Sequence, residues 1–372
     1  KGDKMIQNQR LSEIIKTNII KTNKMILVYV YMLVTISTIF VYSATRSSRF
    51  VMQNLVWITV GTFLIAIISF FDYRDFKKYM LQIYIFNGIL LLLVRFAGKR
   101  TLGAQRWLKI GSFQLQPSEF VKIAIIIILA YWITTKYKGG INNLKDIMGG
   151  ILPVVPLLLL ILFQPDLGTT LITVTAFFAM IFLYGADMKS IWIIIIVIVI
   201  SAYPIYRFVL DDYQRTRVTT FLKPETDVRG SGWHVTQSKI SIGAGGLYGK
   251  GILNGSQSRL EFLPEAQTDF IFSVISEETG FLGSITIIIL YFLLIFEIMK
   301  VSRVTHDPFG KLILYGISGV FFMHVIVNIG MTIGVVPVTG KPLLFLSYGG
   351  SSFISSFIMI GLVESIKINT IE

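Results

Sequence analysis

Two acids close a long polar stretch immediately before an apolar run. Asp269 ends the segment Pro264-Glu-Ala-Gln-Thr-Asp269, and Phe270-Ile-Phe opens the run that follows. A carboxylate at a boundary with an apolar environment tends to have a raised pKa, because desolvation disfavours its charged form. Asp269 is therefore a candidate general base. A helix N-cap is the simpler alternative.

A second group of charges surrounds another predicted helix start. Pro117 suits a first helical turn, and Glu119 there favours the helix dipole. Glu119 and Lys122 are spaced i, i+3, so they share a helix face and can pair, and Arg106 lies just upstream in Gly103-Ala-Gln-Arg-Trp107. The segment is either a helix start with a local ion pair or an ionisable pair that lines a polar cavity.

The stretch Ser241–Gly251 is rich in glycine but does not match a nucleotide-binding motif. A P-loop needs glycine and Ser/Thr at positions that Ala244 and Gly251 occupy, and Tyr248 takes the place of the third glycine in the dinucleotide pattern. The stretch predicts a compact turn-rich loop or a backbone nest for an anionic headgroup. In the second case Lys239 and Lys250 are the nearby cations, and Lys239 is a candidate substrate-binding residue.

Two further polar segments interrupt apolar sequence. Asp166, in Gln164-Pro-Asp-Leu-Gly-Thr169, is most simply a helix cap. Pro337-Val-Thr-Gly-Lys-Pro342 precedes Phe345-Leu-Ser-Tyr-Gly-Gly-Ser-Ser352, a small polar run inside a hydrophobic stretch. Such a run is unfavourable in lipid unless it packs against protein or lines a cavity, which makes Ser347 a candidate substrate contact.

The composition places these residues in a membrane protein. Hydrophobic residues make up 53% of the 372 residues and charged residues only 15%. A soluble domain carries about 25% charge, so most of this surface must face lipid, and disorder is excluded on the same grounds. In a membrane protein, the net charge of +13 is explained by basic residues that set the topology and contact anionic lipid, rather than by binding to nucleic acid. Without cysteine there is no disulfide or thiol nucleophile, and the three scattered histidines make a three-His zinc site improbable.

The apolar runs predict an all-α polytopic membrane protein with ten transmembrane helices and one long ordered extracellular loop between helices 7 and 8. A basic cytoplasmic segment, 1–24, precedes a single membrane domain, 25–372. The first run is too long for a signal-peptide core and is interpreted as an anchor and first span. The predicted spans are 25–43, 50–71, 79–96, 117–134, 149–163, 168–184, 189–209, 270–299, 311–336 and 343–366.

The positive-inside rule sets the orientation. Lysine and arginine are more frequent in the segments that lie on the same side of the membrane as the N-terminus, so both termini are predicted to be cytoplasmic. Two predicted external segments depart from the scarcity of lysine and arginine that the rule expects on the outside. The loop 97–116 holds four cations and no acid. The loop at about 210–269 has interleaved apolar residues that argue for order, and it carries further acids, Asp211, Asp212, Glu225, Asp227, Glu261 and Glu265.

Together these segments resemble the SEDS family of bacterial shape, elongation, division and sporulation proteins, which includes RodA, FtsW and SpoVE. Among its branches the chain looks most like RodA. Six segments carry the resemblance in order: GAQRW at 103–107, QPSEFVK at 116–122, QPDLGT at 164–169, QSKISIGAGGLYGKG at 237–251, LPEAQTDFIF at 263–272 and PVTGKPLLFLSYGGSS at 337–352.

The resemblance implies a peptidoglycan glycosyltransferase. Such an enzyme polymerises lipid II, a disaccharide-pentapeptide on undecaprenyl diphosphate, at the outer face of the cytoplasmic membrane. It implies a class B penicillin-binding protein and other elongation or division proteins as partners. The family's catalytic aspartate falls on Asp269, and its functional arginine, glutamate and lysine fall on Arg106, Glu119 and Lys122.

Two other functions fit the same pattern. A lipid II flippase would also need ten spans, a polar cavity and cations, but its intramembrane charges would reach both faces. A non-catalytic scaffold of the wall-synthesis complex would tolerate loss of Asp269. A divalent cation, Mg²⁺ or Mn²⁺, is the one candidate cofactor, and the sequence does not decide whether it is needed.

Overall fold

The structure, a computed structural model, describes residues 21–101, 104–110, 113–208, 210, 212–223, 230–259 and 262–370. Within those ranges ten helices are long and apolar enough to cross a membrane. They are α1 (Lys24–Thr45), α2 (Ser48–Phe70), α3 (Met80–Ala97), α4 (Pro117–Lys136), α5 (Leu144–Leu162, with a 3₁₀ turn at Leu152–Val154), α6 (Leu167–Tyr184), α7 (Met188–Phe208), α11 (Ile271–Val304), α12 (Pro308–Thr332) and α13 (Gly350–Thr370). Three shorter helices, α8 (Asp212–Leu222), α9 (Ser231–Gly245) and α10 (Ser256–Arg259), lie between α7 and α11.

The predicted ten-helix membrane architecture is confirmed. Side-chain caps define several helix starts: Asn23 on α1, Asp166 on α6 and Asp307 on α12 each accept backbone N–H groups that the first turn leaves unpaired. The last helix begins later than expected, at Gly350, because Leu343–Gly349 folds into a buried turn closed by the Ser347 N–H donating to the Leu343 carbonyl at 2.8 Å.

The helices α4, α12 and α13 form the centre of the bundle, and α7 is exposed along most of its length. Glycine allows close helix contacts there. A Cβ on Gly61 would lie 2.2 Å from the Phe357 ring, so α2 rests directly on α13. Phe345 in the turn before α13 packs against Phe321, Phe353 and Phe357 at ring-centroid distances of 5.7, 6.3 and 5.2 Å.

The basic loop between α3 and α4 has regular β structure. It forms a three-stranded antiparallel sheet of β1 (Lys99–Thr101), β2 (Ala104–Ile110) and β3 (Phe113–Leu115) in the order β1-β2-β3. Lys99 pairs with Trp107, and Lys109 pairs with Gln114. The all-α prediction missed this element because the strands are short. The sheet fixes Arg106 on its central strand, and Gly103 lies outside the described residues.

The long loop after α7 contains α8, α9 and α10, although its sequence has no clear helical periodicity. The helix α9 is rich in glycine and β-branched residues, which have low helix propensity, so tertiary packing must stabilise it. Ser238 supplies part of that packing: its hydroxyl lies 2.6 Å from the Ser273 hydroxyl and donates to the Thr332 carbonyl at 2.7 Å.

The glycine-rich segment packs against a break in α11 and forms hydrogen bonds with the backbone groups around that break. Gly280 has φ 67°, outside helical values, and a Cβ on it would lie 2.4 Å from the Gly249 nitrogen. The Phe281 N–H donates to Gly246 at 2.9 Å, while Lys250 N–H donates to Glu277 at 3.0 Å. The N–H groups of Gly249, Lys250 and Gly251 all donate to backbone carbonyls, which favours the predicted turn-rich loop over the nest for a headgroup.

Two buried carboxylates fasten the following segment to α11. Glu277 accepts hydrogen bonds from Ser256 N–H at 2.8 Å, from Gln257 N–H at 3.2 Å and from the Lys250 ammonium at 2.7 Å. Glu278 accepts the Leu253 N–H at 2.9 Å. These bonds satisfy charges that would be costly if buried alone, and they hold 250–257 against the start of α11.

Candidate active site

Asp269 lies immediately before α11, and its backbone is held independently of its side chain. Its N–H donates to the Glu265 carbonyl at 3.1 Å, and its carbonyl accepts the Asn328 Nδ2 at 3.0 Å. The helix N-cap is Phe270, with no side-chain cap bond, so the cap alternative for Asp269 is wrong. In the part of the chain that the structure describes, no group donates a hydrogen bond to the Asp269 carboxylate.

The surroundings of Asp269 raise its pKa to about 6. Desolvation is the largest cause, followed by the negative charge of Glu265. Arg217, Lys341 and Arg106 act in the opposite direction. A carboxyl with a pKa near neutrality is suited to accept a proton, since it is ionised at neutral pH yet basic enough to take one.

A buried ion pair lies next to this group. The Lys341 ammonium is 2.9 Å from Asp166 Oδ1, and both side chains are almost fully buried. Asp166 also accepts the Thr169 N–H at 3.2 Å, which confirms its predicted role as a cap. Although burial acts to raise it, the pKa of the Asp166 carboxyl is held well below its usual range by Lys341 and Arg106.

A second buried pair adjoins the first. Glu119 and Lys122 meet at 2.8 Å, as their i, i+3 spacing predicted. Lys122 Nζ also lies 2.9 Å from His324 Nε2, while His324 Nδ1 lies 2.9 Å from the Pro342 carbonyl. Because a carbonyl can only accept, Nδ1 carries the proton and Nε2 accepts from Lys122.

Arg106 connects the small sheet to this buried network. Its Nε donates to the Gln164 carbonyl at 3.2 Å, and its Nη2 donates to the Pro165 carbonyl. The guanidinium therefore braces the turn that carries Asp166. The Asn328 amide joins the network to Asp269, since it donates to the backbone carbonyls of both Lys341 and Asp269.

The structure thus brings four of the six predicted site residues to one end of the bundle: Asp269, Arg106, Glu119 and Lys122. Lys239 approaches the same end from α9, against Gly334. Ser347 is fully buried, and its hydroxyl accepts the Leu343 N–H at 2.8 Å. Its role as a substrate contact stays a prediction. Among the alternative loop acids, Asp211, Glu225, Asp227 and Glu261 lie outside the described residues.

Sequence reasoning did not select several residues of this site. Lys341 carries a charge in the polar run before α13, which was a usable signal. His324 and Asn328 are polar residues at i, i+4 spacing within an apolar span, which was a second one. Arg217 on α8 had no signal, because nothing in the sequence relates that helix to Asp269.

A metal site is not assembled by these residues. No three side chains of His, Asp or Glu come together in the described ranges. Asp269 and Glu265 offer two carboxylates on neighbouring turns, fewer ligands than a divalent cation usually takes from a dedicated protein site. The candidate Mg²⁺ or Mn²⁺ therefore stays a prediction, and no step described below depends on it.

Comparison with known proteins identifies the family. The cell cycle protein family FtsW/RodA/SpoVE matches residues 17–372. The chain belongs to this family. It is 33% identical to peptidoglycan glycosyltransferase RodA of Treponema pallidum, across 90% of this chain and 95% of that protein. It is 36% identical to peptidoglycan glycosyltransferase MrdB of Escherichia coli, across 90% of each.

A solved structure agrees with the fold. It is described as the structural coordination of polymerization and crosslinking by a peptidoglycan synthase complex, and its matching chain has 27% identity and a TM-score of 0.81. The match covers 94% of this chain and 98% of that one. The comparisons confirm the family resemblance, the multi-pass membrane fold and the glycosyltransferase class expected from the sequence.

Proposed function

We propose that this chain polymerises lipid II into glycan strands at the outer face of the cytoplasmic membrane, with Asp269 as general base. One observation carries the proposal: a carboxylate without hydrogen-bond donors among the described residues, with a pKa raised to about 6, lies at a bundle end where cations converge. The names of the relatives, peptidoglycan glycosyltransferases from two bacteria, support the substrate class.

The chemistry requires a base and an anion-binding group. The 4-hydroxyl of the acceptor GlcNAc attacks C1 of the donor MurNAc, so an O–C bond forms while the bond from C1 to the diphosphate oxygen breaks. Asp269 takes the hydroxyl proton, and undecaprenyl diphosphate leaves with the electron pair. A hydroxyl is a weak nucleophile at neutral pH, and a positioned base contributes typically about 10²–10⁴-fold.

The buried network supports this geometry indirectly. Glu119 and Lys122 are closed off from solvent and compensate each other's charge. Direct contact of these two residues with substrate stays a prediction. Lys341 fixes the turn that holds Asp166, and its backbone carbonyl accepts the Asn328 amide, which also holds the Asp269 carbonyl. Lys122 bonds to Glu119 and lies against His324.

The outer face is the proposed side for Asp269. The connections α1–α2, α3–α4, α5–α6 and α9–α11 meet at one end: Arg46 donates to the Leu253 carbonyl, and Arg106 donates to the Gln164 carbonyl. The positive-inside rule assigns the opposite end to the cytoplasm. Lipid-linked sugars exposed on the outer leaflet would then reach Asp269.

A class B penicillin-binding protein is the proposed partner. The family resemblance implies it, and the solved relative is described as part of a synthase complex that coordinates polymerization and crosslinking. Crosslinking is a separate reaction on the peptide stems, so an enzyme that joins sugars needs a second protein to complete the wall. Other elongation or division proteins are proposed partners on the same grounds.

A flippase is the second candidate, and the charge distribution argues against it. A transporter needs a polar route between the two faces. Here the charged network stops at one end, and packed rings of Phe321, Phe345 and Phe357 fill the adjoining interior. Polar groups at the other end, such as Asn23 and Glu364, bond to each other at 2.8 Å.

The deciding experiment is polymerisation of pure lipid II by purified protein in detergent. Polymer formed where there is no membrane to cross supports the enzyme, and addition of a candidate partner tests whether activity needs it. A well-folded protein that makes no glycan with any partner, yet moves lipid II across vesicle membranes, would replace the enzyme with the flippase. Normal growth of cells carrying Asp269→Ala would favour the scaffold.

A further inference from the structure

A cleft beside Asp269 brings two cations together outside the buried network. It is formed by α8, α9 and the turn that follows α12. Arg217 enters it from α8, Lys239 from α9, and Gly334 and Val338 form its opposite wall. The turn after α12 is far from α8 and α9 in sequence, so the cleft exists only because α9 docks on α11 and α12.

The position of Lys239 in this cleft depends on its neighbours. The Ser238 hydroxyl, bonded to Ser273 and Thr332, fixes this turn of α9. Gly334 has φ 76°, and a Cβ on it would lie 2.1 Å from Lys239 Cε and 2.4 Å from Lys239 Nζ. A side chain at 334 would therefore displace the ammonium. Lys239 is exposed, and no described carboxylate forms an ion pair with it.

Arg217 connects the cleft to the proposed base. The position that a Cβ would take on Gly340 is 3.9 Å from Arg217 Nη2 and 3.3 Å from Asp269 Oδ2. The guanidinium and the carboxylate thus face the same small space. A molecule in this space that forms an ion pair with Arg217 carries its negative charge close to the atom at which Asp269 acts.

The lysines of the buried network cannot meet that requirement without rearrangement. Lys122 and Lys341 are almost fully buried, and each is already paired with a carboxylate. By contrast, Lys239 is open to solvent and Arg217 is only partly buried. A guanidinium fork and an ammonium are the groups that bind phosphate oxygens.

We infer that the cleft of Arg217 and Lys239 binds the diphosphate of the donor substrate. This inference rests on the proposed function, in which the diphosphate is attached directly to the carbon that is attacked. It must therefore lie beside the base, whereas the acceptor's diphosphate is two sugars from the reacting hydroxyl. Cations at this point stabilise the negative charge that develops on the leaving diphosphate.

The test measures binding rather than turnover. Purified protein in detergent is titrated with undecaprenyl diphosphate and with undecaprenol, which shares the tail but lacks the charge. Loss of a hydrogen bond to a charged group weakens binding about tenfold to hundredfold. We expect Arg217→Ala and Lys239→Gln each to weaken diphosphate binding by that order and to leave undecaprenol binding unchanged.

Matched controls and a competitor complete the design. Arg215→Ala removes an arginine from the same helix that does not line the cleft, and it is expected to bind diphosphate like the unaltered chain. Lys239→Gln alters an exposed side chain, so it keeps the test valid if Arg217→Ala fails to fold. Phosphatidylglycerol, an anionic lipid with a single phosphate, is expected not to displace the diphosphate.

Two results would overturn the inference: unchanged diphosphate affinity in both folded cleft variants, or equal competition by phosphatidylglycerol, which would make the cleft a general headgroup site. Failure of the proposed function looks different. In that case the unaltered chain would bind diphosphate through these cations and still form no glycan from lipid II.

Discussion

Replacing Asp269 by asparagine tests the proposed base without disturbing the fold. Hydrogen bonds of the backbone with Glu265 and Asn328 hold this residue, and its side chain caps no helix. Burial raises the pKa of Asp269 to about 6, which means that ionisation of this carboxyl at pH 7 is less favourable in the native state than in the unfolded chain. The amide removes that cost, so Asp269→Asn is expected to melt no earlier than the unaltered chain.

The expected loss of activity follows from the role of the group. A positioned general base contributes about 10²–10⁴-fold, so the asparagine variant should polymerise lipid II at least about a hundredfold more slowly. The pH dependence follows from the pKa. A base must be deprotonated, so activity is lost as pH falls through about 6. A group with that pKa is about 0.9 ionised at pH 7 and about 0.1 at pH 5, which predicts a drop of about tenfold.

The assay is single-turnover polymerisation of lipid II by purified protein in detergent, followed by gel separation of the glycan, at a series of pH values. Glu265→Gln serves as the directional control. The negative charge of Glu265 helps to raise the pKa of Asp269, so its removal should move the acidic limb to lower pH. In Asp269→Asn the residual activity should lack this limb.

Two outcomes would refute the reasoning. A folded Asp269→Asn protein that retains more than about a tenth of the activity would lie outside the range for a general base. An acidic limb that persists near pH 6 in that variant would assign the titration to another group. Glu265 would then be the next residue to replace.

Other parts of the structure make separate predictions. Lys341→Met leaves Asp166 buried without its counter-ion, so the free energy of unfolding should fall by about 3–5 kcal/mol, measured by thermal unfolding. Adding Asp166→Asn to the same chain should restore part of that stability. Glu277→Ala removes the acceptor for the segment 250–257, which should speed hydrogen exchange there in a mass-spectrometric measurement without affecting α13. Cysteine introduced at Asn254 should react with an impermeant reagent in intact cells, whereas cysteine at Lys145 should not; the reverse pattern would invert the orientation.

Much of the fold could be predicted because the ability of a segment to span a membrane depends only on its own length and apolar composition. A stretch of about 20 apolar residues spans a bilayer wherever it lies in the chain, so the ten helices followed from composition. The Glu119–Lys122 pair could be predicted for the same reason, since i, i+3 spacing on a helix sets the geometry. The cap formed by Asp166 also depends only on adjacent residues.

The remaining features depend on contacts between distant segments. Lys341 and Asp166 are 175 residues apart, and nothing local in either segment specifies the other. The helix α9 forms despite poor propensity because Ser238 and Gly245 dock it on α11. Asp269 was selected through the family motif, but its alternative role as a cap could be excluded only because the structure places Phe270 at the N-cap of α11.

The lysines of the buried network and the cations of the cleft differ in how far their charge is compensated by carboxylates. This difference indicates which of them bind substrate. In the buried network each lysine has a carboxylate partner, as it must, because an unpaired charge in that interior would cost several kcal/mol. Such a neutral network fixes backbone but has little field left for a substrate. A leaving diphosphate needs positive charge that remains uncompensated until the substrate arrives. Among the groups near Asp269, exposed Lys239 meets that condition, and Arg217 lies between it and the base. Most of the sequence motifs therefore mark the framework that positions Asp269. Of the two cations assigned to the diphosphate, Lys239 lies in the motif at 237–251, and Arg217 lies outside all six motifs.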